Sequence, residues 1–276
     1  MQAYAYKAWK LTAELLCRLG EPTRAIALEQ RAEELRERFE RDFWSESLGC
    51  YVLARQKDGR PAEVVASNAG QVLWGGIASQ EHAARVVERL MAPDMFSGWG
   101  IRTLSMQAAA YNPMSYHCGS VWPHDNGLIA NGFHRYGREG AALRVLDALF
   151  AAASGFRDFR MPELYCGYER RTGEEHPVRY PVACSPQAWA AGAIPHLLRS
   201  VLGLRADAVA GRLEVVRPRL PAWLDWVEVE CMRVGAARID VRFERAGPDG
   251  VSDVHSVVRE GDLCVEHIEA LPPEDS

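Results

Sequence analysis

Apolar side chains recur at helical spacing through the first 40 residues. Two such runs are separated by Gly20 and Pro22, a pair typical of the end of one helix and the start of the next. The first run is Tyr4, Ala8, Leu11 and Leu15, and the second is Leu28, Ala32, Leu35 and Phe39. Charged residues fill the other face of the second run. The pattern predicts two helices joined by a short turn, which is an antiparallel helical hairpin.

Further helices are predicted along the chain, and two long segments interrupt them. Helices are expected at 67–77, 80–91, 120–136 and 139–153, with a short strand at 50–53 and irregular chain at 92–118 and 154–184. Ser185 and Pro186 have the residue types of a helix start, so the last helix should run from there to about Leu202. Pro195 is expected to kink it.

After about residue 205 the hydrophobic period changes from helical to alternating. Strands are predicted at 213–216, 226–231, 238–243, 254–258 and 263–268, followed by a frayed tail at 272–276. The fold class is therefore mainly α. We divide the chain into a domain of helical hairpins over residues 1–205 and a small antiparallel β region over 206–276. Such hairpins bury both faces only by closing on themselves or stacking on a neighbour.

Composition narrows the function classes. The 276 residues carry a formal net charge of -5 and no basic stripe, which argues against nucleic-acid binding. No run of about 18 apolar residues and no leader sequence is found, so we expect a cytoplasmic protein without a membrane span. The seven cysteines show no CxxC spacing. The sequence predicts neither a cofactor nor a metal.

Residues 97–126 combine aromatic and polar side chains with little apolar periodicity. Pyranose rings present flat CH faces and a rim of hydroxyls, so binding them requires aromatic platforms beside donors and acceptors. The segment supplies Trp99, Arg102, Tyr111, Asn112, Tyr116, His117, Trp122, His124, Asp125 and Asn126. This density favours a carbohydrate-binding site.

Two other interpretations of these residues stay open at this point. Trp99 and Trp122 also suit a hydrophobic core, and His124 with Asp125 also suits the cap of a helix. A metal site formed by His117, His124 and Asp125 would match no standard ligand spacing.

A second loop carries Glu163 directly after Pro162, with Tyr165 and Tyr168 nearby. A carboxylate held rigidly in an apolar loop is what a general base for water activation requires. The alternative is a buried glutamate paired with Arg157 or Arg160. The residues themselves do not separate the two.

Several motifs in one order resemble bacterial glycosidases of the amylo-α-1,6-glucosidase, or glycogen-debranching, type. They are Ser67-Asn68-Ala69-Gly70, Trp74-Gly75-Gly76-Ile77-Ala78, Gly98-Trp99-Gly100-Ile101-Arg102-Thr103-Leu104-Ser105, Tyr111-Asn112-Pro113, Tyr116-His117, Gly119-Ser120-Val121-Trp122-Pro123-His124-Asp125-Asn126, Pro162-Glu163-Leu164 and Tyr180-Pro181-Val182-Ala183-Cys184-Ser185-Pro186-Gln187-Ala188-Trp189. The resemblance covers nearly the whole chain to about residue 245. It implies a six-hairpin α/α barrel, of which this chain would form the C-terminal part.

The resemblance also implies a chemistry, namely inverting hydrolysis of α-glucosidic bonds by two carboxyl groups. Glu163 takes the position of the general base. The sugar pocket would be lined by Trp99, Arg102, Tyr116, His117, Trp122, His124 and Asp125. Glycogen branches, short oligosaccharides and glycosylated small solutes all remain open as substrates.

The general acid of such enzymes is an aspartate in a Gly-Trp-Lys-Asp type stretch, which this sequence does not contain. We therefore expect a truncated or split enzyme whose N-terminal half is a separate or missing partner, and an isolated chain without appreciable activity. The alternative is a non-catalytic carbohydrate-binding or α/α scaffold fragment that needs an N-terminal partner chain.

Overall fold

The computed structural model describes residues 1–269, so the predicted tail at 272–276 lies outside the described residues. The helices are α1 (Gln2–Arg18), α2 (Pro22–Phe43), α3 (Asn68–Gly75), α4 (Gln80–Leu90), α5 (Pro123–Arg135), α6 (Glu139–Ala153), α7 (Ala188–Ala191) and α8 (Ala193–Val201). Over the described range, none of them has the length and apolar character needed to cross a bilayer.

Helices α1 and α2 form the predicted hairpin and pack along their length. Helix α2 buries the predicted face, including Ala32, Leu35 and Phe39. Helix α1 differs, because its buried residues are Ala3, Tyr6, Ala13 and Leu16. The residues of the predicted apolar run, Tyr4, Ala8, Leu11 and Leu15, are all exposed. Both sides of this helix are apolar, and the spacing alone favoured the side that stays exposed.

Helix α5 is central to the helical part, since it packs against α3, α6, α7 and α8. Its contact with α3 depends on glycine: a Cβ added at Gly132 would lie 2.6 Å from the backbone nitrogen of Trp74. A Cβ added at Gly70 would lie 2.5 Å from the Ile129 side chain. The two helices therefore approach closely, which brings the side chains of Gln71 and Asp125 together.

The two segments predicted to be irregular have no long helix, but single backbone bridges tie them to each other. Arg102 pairs with Val121, Val121 with Tyr165, and Tyr165 with Arg179, all antiparallel. A 3₁₀ turn spans Arg157–Phe159. This backbone pairing places the loop of Glu163 against the segment that leads into α5.

The last helix differs from its prediction. The Ser185–Pro186 peptide bond is cis, and helical structure starts only at Ala188. The helix is divided at Gly192 into α7 and α8, rather than kinked at Pro195. Pro195 is the third residue of α8, in the first turn, where its missing N–H has no intrahelical acceptor to lose.

The strands are β1 (Trp44–Ser45), β2 (Cys50–Tyr51), β3 (Leu204–Asp207), β4 (Arg212–Val216), β5 (Trp226–Val234), β6 (Ala237–Arg245), β7 (Ser252–Glu260) and β8 (Cys264–Ile268). The order β5-β6-β7 is antiparallel as predicted. In the sheet β3-β4-β8, however, β4 and β8 run parallel, which corrects the prediction of a purely antiparallel region. Strand β3 also crosses the predicted division at residue 205. Only two residues separate the end of α8 at Val201 from the start of β3 at Leu204, so the strand begins before the division.

The helical part and the strands have separate apolar clusters. The larger cluster joins residues of all eight helices, α1–α8, with buried loop residues such as Trp99, Val121 and Tyr165. The smaller cluster lies under the sheets, around Leu213, Ile239 and Phe243.

Candidate active site

A cavity of about 680 Å³ opens where α3 and α5 begin. Its wall combines apolar side chains with hydroxyl, amide, imidazole and carboxyl groups: Leu53, Val64, Ala66, Ser67, Asn68, Thr103, Leu104, Ala108, Ala109, Ala110, His117, Cys118, Trp122, His124 and Asp125. A second cavity, of about 480 Å³, shares Asn68, His124 and Asp125 with the first and extends towards the start of α1. The volumes suit a sugar with part of its aglycone.

Asp125 is held between the two cavities by side chains from α1 and α3. The Gln71 amide donates a hydrogen bond to Asp125 Oδ1, and the Tyr4 hydroxyl donates to Gln71 Oε1 at 2.9 Å. Burial raises the pKa of the Asp125 carboxyl, and the hydrogen bonds of Ser67 and Gln71 oppose that rise. Asp125 lies in the first turn of α5, whose N-cap residue is Trp122 and makes no side-chain capping bond. The hydrogen bonds described for the Asp125 carboxyl come from Gln71 and Ser67, and none is described to the backbone N–H groups of α5.

An aromatic cluster forms the adjoining wall. Trp122 packs edge-on against Tyr116, with ring centroids 4.8 Å apart, and its indole N–H donates to the Tyr116 carbonyl at 3.0 Å. His117 lies parallel to the Trp122 ring at 5.8 Å. His124 stacks on Trp189 with centroids 4.1 Å apart. The result is a rigid surface of flat rings beside hydrogen-bonding groups, which is the combination that carbohydrates require.

The imidazole of His124 is held in its neutral form, because burial lowers its pKa despite the nearby carboxylates of Asp125 and Glu163. Its Nδ1 is buried and has no hydrogen-bond partner among the described residues. A ligand hydroxyl in the cavity is a chemically suitable partner for such an atom.

Glu163 lies behind the aromatic cluster and is not part of the cavity wall. The Tyr116 hydroxyl donates to Glu163 Oε1 at 2.5 Å, and the Glu163 backbone N–H donates to the Cys184 carbonyl at 2.9 Å. The Tyr116 hydrogen bond, together with one from Gln187, lowers the pKa of the Glu163 carboxyl, although burial opposes this. Glu163 is thus ionised at neutral pH, the state in which a general base acts. Among the described residues, no ion pair joins Glu163 to Arg157 or Arg160, and Arg157 pairs with Asp158 instead.

The structure brings Tyr116, His117, Trp122, His124, Asp125 and Glu163 into one neighbourhood, and it leaves Trp99 and Arg102 outside it. Trp99 is 1% exposed and belongs to the core, which agrees with the alternative interpretation of that residue. Arg102 is 0% exposed, and its guanidinium donates to the backbone carbonyls of Gly167 at 2.6 Å and Pro93 at 3.0 Å. In this arrangement Arg102 joins two loops, and neither residue lines the cavity.

Several contributors to the site had no predicted role. Ser67, Asn68 and Thr103 line the cavity, Trp189 stacks on His124, and Gln187 bonds Glu163. All five fall within the motifs that carried the family resemblance, so those motifs were the available signal. Over residues 1–269, no group of three His, Cys, Asp or Glu side chains is arranged to hold a metal ion.

The sequence itself matches a known family over more than half its length. The profile of the mannosylglycerate hydrolase MGH1-like glycoside hydrolase domain aligns with residues 1–164, a range that includes every predicted site residue. The chain belongs to this family. The predicted resemblance to a six-hairpin glycosidase-type family is thereby confirmed at the level of the family, whereas the finer resemblance to amylo-α-1,6-glucosidases receives no support from the match.

Individual relatives agree with the family. A mannosylglycerate hydrolase of Rubrobacter radiotolerans is 26% identical over 162 residues, which cover 56% of this chain and 36% of the relative. The chain thus spans about a third of the length of the curated relative it matches.

Solved structures show the same fold. The GH63 mannosylglycerate hydrolase from Thermus thermophilus in complex with glucose has a TM-score of 0.57 at 21% identity, covering 71% of this chain and 43% of that one. A GH78 family rhamnosidase of Bacillus sp. GL1 has a TM-score of 0.66 at 19% identity, covering 96% of this chain and 25% of that one.

Proposed function

We propose that the helical part of this chain, residues 1–205, carries the water-activating side of an inverting glycosidase that cleaves α-glycosidic bonds. The observation that carries the proposal is the setting of Glu163. Its carboxylate is kept ionised by Tyr116 and lies directly behind the aromatic surface of a cavity of sugar-binding size. A fixed, ionised carboxylate beside such a surface fits the base of an inverting mechanism.

In the proposed reaction, Glu163 removes a proton from a water molecule as that water attacks the anomeric carbon. The bond to the leaving group breaks with its electron pair, and the configuration at the anomeric carbon inverts. The family resemblance assigns the general acid to an aspartate in a Gly-Trp-Lys-Asp type stretch. We therefore infer that the acid is supplied by a polypeptide segment outside these 276 residues, which would also complete an α/α barrel.

For the substrate we propose an α-glucoside or an α-mannoside of small size. The glucoside follows from the debranching-type motifs, and a related solved structure contains glucose. The mannoside follows from the family, whose named member hydrolyses mannosylglycerate. The apolar side of the cavity, formed by Leu53, Val64 and Leu104, suits the flat CH face of either sugar.

One observation favours a second candidate, a domain that binds carbohydrate without cleaving it. Glu163 does not line the cavity. The Trp122 ring does line it, and the Tyr116 ring packs against Trp122. A sugar held on those rings would then be recognised by His124 and Asp125 while remaining out of reach of the carboxylate.

The test is hydrolysis of α-glucosyl fluoride and α-mannosyl fluoride by the purified chain. Fluoride leaves without protonation, so the reaction needs the base and not the acid. Wild type should release fluoride, and the first sugar product should be the β-anomer, observed by NMR. The Glu163→Gln variant should lose about 10²- to 10⁴-fold in rate, which is the usual contribution of a positioned base.

Glu169→Gln is the matched control, since Glu169 lies in the same loop but is exposed. It should retain its rate. Loss of activity in Glu169→Gln but not in Glu163→Gln would show that the base is assigned wrongly. Sugar binding with no fluoride release by wild type would favour the binding domain. An unactivated α-glucoside, run in parallel, should not be turned over at ordinary enzyme rates.

A further inference from the structure

The cavity of about 680 Å³ at the start of α3 and α5 has a polar side and an apolar side. Asn68, His124 and Asp125 also border the second cavity, towards α1, and they mark the polar side. Val64 and Ala108 instead border a smaller cavity of about 240 Å³, which none of those three residues lines. The two sets of residues therefore lie on different sides of the same space.

The apolar side is formed by three consecutive alanines, residues 108–110, together with Val64 and Leu104. The backbone holds these segments against each other, because the Ser105 N–H donates to the Val65 carbonyl at 3.0 Å. The last two alanines are exposed, so they are free to contact a ligand. Methyl groups offer van der Waals contact but no side-chain hydrogen bond to a hydroxyl or a carboxylate.

The side chains of this cavity are poorly suited to an anionic group. No lysine or arginine is among the described residues that line it. Burial lowers the pKa of His124 and keeps that imidazole neutral, and Asp125 carries no positive charge in either protonation state. Arg55 borders the second cavity, where its guanidinium donates to the Asp42 carbonyl at 2.6 Å. A carboxylate taken into the first cavity would lose water without gaining a partner of opposite charge.

Given the proposed glycosidase function, on which this selection rests, we propose that residues 108–110 bind the aglycone and select one that is uncharged and apolar. With Val64 and Leu104 against the CH face of the sugar, the three alanines remain for an aryl or alkyl group. The family is named after mannosylglycerate, whose aglycone is a carboxylate. This chain should bind such an anionic glycoside poorly.

Isothermal titration calorimetry of the full chain with two matched pairs of α-glycosides, in the gluco and the manno series, tests this selection. The first pair is the phenyl and the methyl glycoside, and the second is the glycosylglycerate and its isosteric amide. The titrations are run at constant ionic strength and at about pH 8, at which exposed imidazoles are uncharged. The phenyl glycoside should bind about three- to tenfold more tightly than the methyl glycoside, because more apolar surface is buried. The amide should bind about tenfold or more tightly than the acid.

Ala109→Arg supplies the missing cation. It should tighten the binding of the glycosylglycerate by about tenfold and leave that of the amide nearly unchanged, because a guanidinium pairs with a carboxylate. Ala109→Gln is the matched control, since it lengthens the side chain without adding charge, and it should keep the preference for the amide. Ala109 is exposed, so both variants should fold, which a thermal transition checks.

Three results would overturn the selection: equal or tighter binding of the acid by wild type, a phenyl glycoside that binds no better than the methyl one, or an Ala109→Arg variant that behaves as Ala109→Gln does. Hydrolysis of the glycosyl fluorides is measured separately on the same protein. Fluoride release without the expected preferences would refute the aglycone site and leave the glycosidase function standing. The preferences without fluoride release would refute the glycosidase function and leave the selection of an apolar group standing.

Discussion

Among single residues, Tyr116 affects the proposed chemistry most, through its hydroxyl group. It is the leading reason why the Glu163 carboxyl has a lowered pKa, and in return that hydrogen bond, with burial, raises the pKa of Tyr116 to about 12. The hydroxyl therefore stays protonated at neutral pH and can donate this hydrogen bond. We regard Tyr116 as a positioning residue, since its described hydroxyl contact is the carboxylate and the edge of its ring meets Trp122.

Replacing Tyr116 with Phe should shift the pH dependence of fluoride hydrolysis. The variant loses the hydrogen bond that favours the ionised carboxylate, so the pKa of Glu163 rises towards its ordinary value. A base with a lowered pKa is active above that pKa and is lost as the pH falls through it, so the acidic limb should move to higher pH. At neutral pH Glu163 is ionised in both proteins, so the rate there should change much less than it does on the acidic limb.

Tyr180→Phe provides the control for that experiment. Tyr180 meets the Tyr116 ring at 5.8 Å through ring contact, without a described hydrogen bond to Glu163. Its pH profile should coincide with that of wild type. An unchanged profile in Tyr116→Phe would mean that the Tyr116 hydroxyl does not set the ionisation of Glu163.

For individual residues, the sequence predicted which segment holds the site, but it did not predict which side chains contact one another there. Residue density identified the segment around Trp122, His124 and Asp125, because polar and aromatic side chains without helical period indicate a functional loop. The contact between Tyr116 and Glu163 joins residues 47 apart in the chain, and no local spacing encodes it. Trp99 is an aromatic residue of the kind that binds sugar rings, and only the packing of the folded chain shows that it is buried.

At the scale of elements, the close contact of α3 and α5 positions the carboxyl side of the cavity. Gln71 reaches Asp125 only because Gly70 and Gly132 let the two helix backbones approach. Added side-chain volume between them would therefore disturb both stability and the site.

Gly132→Ala should destabilise the protein by up to about 2 kcal/mol. The new methyl group would lie 2.6 Å from a backbone nitrogen that cannot move aside as a side chain can. Overpacking of this kind costs about 1–3 kcal/mol, whereas the helix propensity of alanine recovers about 1 kcal/mol, so the clash prevails. Urea unfolding followed by circular dichroism measures the difference.

Gly140→Ala tests the same change without the clash. Gly140 lies in α6, and an added Cβ there would meet nothing within 4 Å. Because Gly140 lies in the first turn of α6 and not in its interior, this variant should gain at most about 0.5 kcal/mol. If Gly132→Ala were stabilised to the same extent, α3 and α5 would not be in the close contact described.

The elements that the sequence predicted well are long and have one apolar face, as in α2 and α4. The failures have local causes. Strands β1 and β3 are too short for alternation to show, and the parallel pairing of β4 with β8 joins segments about 50 residues apart. In α1 both faces carry apolar residues, so the period was right and the buried side was wrong.

At the scale of the whole molecule, the outward side of α1 carries large apolar residues that are exposed to solvent. Leu11 and Leu15, one helical turn apart in α1, are each 55% exposed, and Leu19, directly after the helix, is 68% exposed. Ile26 of α2, the other helix of the hairpin, is 58% exposed. Contiguous apolar surface of this kind marks contacts with another protein surface.

We therefore expect the isolated chain to self-associate as its concentration rises, with the outward face of α1 in the contact. Leu11→Glu combined with Leu15→Glu should restore the monomer, because glutamate keeps the helix propensity of leucine while it removes the apolar surface and adds charge. Val209→Glu is the control, since Val209 is 83% exposed in the β region and takes the same change. Sedimentation velocity over a range of concentrations measures the outcome. A wild-type chain that sediments as a monomer throughout, or a Val209→Glu variant that dissociates as the double variant does, would contradict the role of α1.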